Sequence, residues 1–61
     1  LSKDYYLAQD AYKLEDLAAK KYAFYAQNAK NAQVQQLFNQ IAQDQQQGAQ
    51  TFRQMMNQFP Q

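Results

Sequence analysis

VQQLFNQIAQDQQQGAQTFRQMMNQF, running from Val34 to Phe59, decides how this chain folds. Val34, Phe38, Ile41, Gln45, Gly48, Phe52, Met55 and Phe59 alternate spacings of four and three. That alternation puts them on one face of a long helix that meets a partner along its whole length. Gln45 and Gly48 interrupt an otherwise apolar seam at its middle. Gly48 is the only glycine in the chain, and it costs the helix about 1 kcal/mol relative to alanine. The gap these two residues leave is where function is to be sought.

Toward the C-terminus, Pro60 stops the helical pattern, so the second helix is expected over about 32–58. On the other side, Asn28-Ala29-Lys30-Asn31 is the only punctuation before the second helix. Asn31 is a good N-cap, and Lys30 lies where a cation favours the end of a preceding helix. A turn over about 29–31 is short enough to make the two helices antiparallel neighbours.

The first helix is expected over about 3–28. Ser2 caps it, with Leu1 as the outer half of a hydrophobic staple and Asp4 in the first turn. Its inward stripe reads Leu7, Ala11, Leu14, Ala18, Tyr22, Tyr25 and Ala29, with one residue of drift near Ala18. Tyr5, Tyr6, Tyr12 and Phe24 fall beside or away from that stripe, which implies a second contact face. Asp16 and Lys20 form a favourable i,i+4 pair on the polar side. With the turn near residue 30, positions whose numbers sum to about 60 share a height on the two helices. Glu15 is then level with Gln45, and Tyr12 with Gly48.

The expected fold is all-α: one domain over 1–61, an antiparallel two-helix hairpin that completes a four-helix bundle or larger assembly by self-association. A chain of 61 residues buries too little surface to be comfortably stable alone. Six basic and five acidic residues, for a net charge of +1, give no footprint for nucleic acid. The lack of His and Cys removes the commonest metal ligand, the commonest general base and any thiolate chemistry. No apolar run approaches the ~18 residues of a membrane span, and the scattered lysines do not make a membrane-surface helix. A start at Leu1 rather than Met suggests a processed product or a module cut from a longer protein.

Asp4-Tyr5-Tyr6-Leu7, Leu14-Glu15, Lys21-Tyr22, the run Asn31 to Phe38, the run Ile41 to Gln50, and Phe52 with Met56-Asn57-Gln58 together resemble the spore-coat Coat F domain family. That family is a branch of the ferritin-like helical proteins. The resemblance implies a non-catalytic structural, self-assembling protein of the spore coat or spore surface, with other coat proteins as further partners. Ferritin-like metal proteins present Glu-x-x-His inward from a bundle helix, with a Glu from a neighbour. Matched by residue, Gln45 stands at the Glu position, Gly48 at the His position, and Glu15 at the neighbouring Glu, so the resemblance implies no metal centre and no cofactor.

On this reading the assembly interface is formed by Leu7, Leu14, Tyr22, Tyr25, Val34, Phe38, Ile41, Gln45, Gly48, Phe52, Met55 and Phe59. The Gln45–Gly48 layer then serves packing and register, with Gly48 admitting a ring such as that of Tyr12. The alternatives are a degenerate ferritin-like metal or small-ligand binder centred on Glu15, with Asp44 as a second ligand between subunits, and a helical interaction module excised from a longer protein. No catalytic residue is assigned.

Overall fold

A computed structural model describes residues 2–59. The expected Leu1 staple and the Pro60 stop lie outside those residues. Two helices, α1 (Lys3–Asn28) and α2 (Ala32–Met56), form an antiparallel hairpin, and among the described residues there is no strand. The fold is all-α, as expected. It is a rod of 46 × 12 × 10 Å, close to the about 40 Å that 26 residues of α-helix span.

Both helix starts are capped by side chains. Ser2 Oγ accepts from the Tyr5 amide at 3.0 Å, and Asn31 Oδ1 accepts from the Val34 amide at 3.0 Å. Each cap satisfies one of the amides that the first turn leaves without a partner. The Ala29 amide closes α1 by donating to the Tyr25 carbonyl at 2.9 Å. Gln35 Nε2 reaches back to donate to the Ala29 carbonyl and ties the turn to α2. Lys30 is exposed in the turn, and the last turn of α1 carries no basic residue. α2 ends at Met56, where the amides of Asn57, Gln58 and Phe59 tighten into bonds three residues back.

The seam between the helices is built on small residues. Among the described residues, Ala8, Ala26 and Ala49 are the buried ones, and no large side chain is fully buried. With them, Tyr5, Tyr12, Glu15, Ala19 and Tyr22 on α1 face Phe38, Ala42, Gln45, Phe52 and Met56 on α2, all half-buried. Both sets run by threes and fours, the spacing of a shallow-angle helix pair. Phe38 packs on two rings of α1, with centroids 6.1 Å from Tyr22 and 5.5 Å from Tyr25.

This seam corrects the expected stripe of α1. Leu7 and Leu14 are 55% and 69% exposed, whereas Ala8 and Ala26, each one residue beyond an expected position, are buried. The true inward face lies one residue further along, at Ala8, Glu15, Ala19 and Ala26. Alanine wins these places because it lets the two backbones approach closely, whereas a leucine there would hold them apart.

Candidate functional site

α2 enters the middle of the seam without a side chain at Gly48, and Glu15 of α1 fills the space. A Cβ built on Gly48 would stand 3.3 Å from Glu15 Cδ, 3.4 Å from Oε2 and 3.6 Å from Oε1. The expected occupant, Tyr12, is elsewhere. Its hydroxyl accepts from Arg53 Nη1 at 3.3 Å, and the Arg53 guanidinium lies 5.8 Å from the ring centroid. Height along the helix was right to within a turn, but azimuth decides the contact. Tyr12 points to one side of the seam, and Gly48 opens to the other.

Helical geometry assigns the rest of each side. Tyr12 and Arg53 share theirs with a groove lined by Asp16, Lys20, Asn39, Gln43 and Gln46. Lys20 and Asp16 pair there at 3.0 Å, the i,i+4 bridge expected from sequence. Glu15 and Gly48 belong to the opposite side. Leu7, Leu14 and Tyr25 of α1 stand there beside Val34, Leu37 and Met55 of α2, between 37% and 69% exposed. The carboxylate of Glu15 therefore sits at mid-height at the seam edge of this largely apolar side, which Lys21 and Asp44 flank at its rim.

The remaining expected interface residues divide. Tyr22, Phe38, Gln45 and Phe52 lie in the seam between α1 and α2, half-buried, and Ile41 and Phe59 are half-buried at its edge. Leu7, Leu14, Tyr25, Val34 and Met55 are exposed. Tyr6 and Phe24 are exposed on the back of α1, whereas Tyr5 is half-buried. Leu37, also expected to pack against the first helix and a partner chain, is 58% exposed, and Leu17 (52%) was not among the expected interface residues.

Glu15 has no ion-pair partner among the described residues, where Lys20–Asp16 is the pair formed. Gln45, a neutral oxygen donor, is half-buried in the same layer. Asp44, the expected second ligand, is exposed and accepts from Gln40 Nε2 at 3.2 Å on its own helix. No group of three or more His, Cys, Asp or Glu residues that could hold a metal occurs among the described residues. A di-metal centre of the ferritin-like kind needs two Glu-x-x-His motifs and two further glutamates. The residues of this hairpin do not fit it: the chain has no His, and the layer of Gln45 and Gly48 holds a single carboxylate, that of Glu15.

No helix among the described residues is long and apolar enough to cross a membrane. No curated protein and no solved structure matches the chain. A family model, Rubrerythrin, matches residues 7–61. It overturns the Coat F resemblance, and with it the spore-coat location and the structural coat function. The residues that carried that resemblance are polar, glutamine-rich and helical, with few diagnostic side chains among them. The chain belongs to the rubrerythrin family, within the ferritin-like superfamily.

Proposed function

We propose that this chain is a non-catalytic, ferritin-like binding hairpin that takes a hard divalent cation through the carboxylate of Glu15. The observation that carries the reading is the seat of Glu15 against Gly48. The missing side chain leaves room for a carboxylate at mid-seam, and no basic residue of the described chain neutralises it. Family membership supports it too, because ferritin-like metal proteins bind through inward glutamates at this level of the bundle.

An all-oxygen donor set, a carboxylate with the carbonyl of an amide such as Gln45, suits magnesium, calcium or manganese rather than softer metals. Glu15 supplies the charge and Gln45, half-buried at the same height, a neutral oxygen. Nothing in this layer forms the paired acid and base that hydrolytic or proton-transfer chemistry needs, so the reading is of binding alone.

Metal analysis of the purified protein, followed by manganese titration of the metal-free form, tests it. Saturable binding that disappears in Glu15→Ala is expected. Binding of equal strength in that variant would overturn the assignment.

A further inference from the structure

The two sides of the hairpin differ in a way that one chain does not explain. The side with Asp16 and Lys20 is a groove in which charged and amide side chains alternate with Ala19, Ala23 and Ala42, with no large apolar side chain in its lining. The other carries Leu7, Leu14, Leu37 and Met55, all exposed, with Glu15 half-buried at its seam edge and the charged Lys21 and Asp44 at its rim. We propose that a second copy of this chain docks on the apolar side and closes a four-helix bundle in which the two Glu15 carboxylates share one layer.

Area argues for a large partner. The hairpin exposes 4814 Å², whereas a compact monomer of its 7.2 kDa mass exposes about 4,100 Å². Its radius of gyration is 14.1 Å, against about 10.5 Å for a compact domain of this length. By the same scaling a compact pair exposes about 6,800 Å², so pairing hides roughly 2,800 Å² in total. That lies within the about 2,000–5,000 Å² of obligate homodimers. The buried core of three alanines is far too small to be the whole apolar interior of a stable domain.

Symmetry argues that the partner is a copy. The apolar side runs nearly the length of both helices, from Leu7 to Tyr25 and from Val34 to Met55, and Glu15 stands at the middle of α1 (Lys3–Asn28). Two copies related by a two-fold axis present the same patch to each other. Whether that axis runs along the rod or across it, a residue at mid-height meets its own counterpart in one layer. Two unpaired carboxylates inside a bundle repel and lose water. The shared layer therefore deepens the reading of Glu15 as a cation ligand and rests on it. The docking of the two apolar sides does not.

Sedimentation equilibrium of the 61-residue chain in chelator, at micromolar concentration, tests the docking. A dimer is expected. Leu14→Lys should weaken it by about tenfold or more, and Lys20→Ala, in the polar groove, should leave it unchanged. A monomer throughout would overturn the proposal and assign the face to another partner, and an open polymer would overturn it too. Should Leu14→Lys lose its helices, the mass of the unmodified chain at a concentration where it is helical decides: a dimer upholds the docking and a monomer ends it. Added manganese should tighten the dimer, and Glu15→Gln should abolish that response. A dimer indifferent to manganese upholds the docking and overturns the shared cation layer.

Discussion

Glu15 and Gly48 fit together as side chain and vacancy: the carboxylate lies where a Cβ on residue 48 would meet its Cδ at 3.3 Å. Gly48 is helical with no positive φ, so its glycine is not required by the backbone. The glycine serves the contact.

Gly48→Ala measures that contact. Alanine restores about 1 kcal/mol of helix propensity, and the atom it crowds is at the end of a flexible, half-exposed side chain that can move by a few tenths of an ångström. Urea unfolding should show a gain of up to about 1 kcal/mol, with weaker manganese binding because the carboxylate is displaced. Gly48→Leu, which fills the space entirely, should remove binding. A stability loss in Gly48→Ala would mean that Glu15 cannot yield.

The two caps are predicted to matter more than their exposure suggests. Asn31→Ala removes the acceptor of the Val34 amide and should cost about 1 kcal/mol. Ser2→Ala removes the bond to Tyr5 and should cost somewhat less, since it frays an end rather than loosening the turn. Chemical denaturation of the two variants side by side ranks them.

Ala26→Leu should destabilise the hairpin by about 1–3 kcal/mol, because it forces apart backbones that meet at one of the buried alanines. The same change at exposed Lys13 should be nearly neutral. Equal effects at both positions would mean that the seam lies elsewhere.

Arg53 and Tyr12 join the helices on the polar side through one hydrogen bond of 3.3 Å and a guanidinium over the ring. Both interactions are solvent-accessible, so Arg53→Ala should cost only about 0.5–1 kcal/mol. A double-mutant cycle with Tyr12→Phe separates the hydroxyl from the ring, and a coupling beyond about 1 kcal/mol would show the pair to be better shielded than its geometry implies.

Much of this architecture was legible in the residues, and what was missed has physical causes. The seam of α2 could be read because Phe38 and Phe52 mark it with bulk at helical spacing. The inward face of α1 was displaced by one residue because its positions are alanines, tyrosines and a glutamate, while the larger Leu7 and Leu14 sit on the face left open. Hydrophobicity pointed to the open face, where Leu7 and Leu14 are exposed, not to the seam within the hairpin. The height rule placed Glu15 beside Gln45, but height alone cannot tell which side of the seam a residue faces. That is why Tyr12 was expected at Gly48. The family was obscured because a polar, glutamine-rich helical hairpin without His or Cys offers few diagnostic residues.

The stoichiometry of manganese binding, read by the loss of the free-ion resonance as metal-free protein is titrated, tests the account most directly. One ion for every two chains, abolished by Glu15→Gln while the helices persist, is the predicted result. No saturable binding, or binding that survives Glu15→Gln, would contradict it.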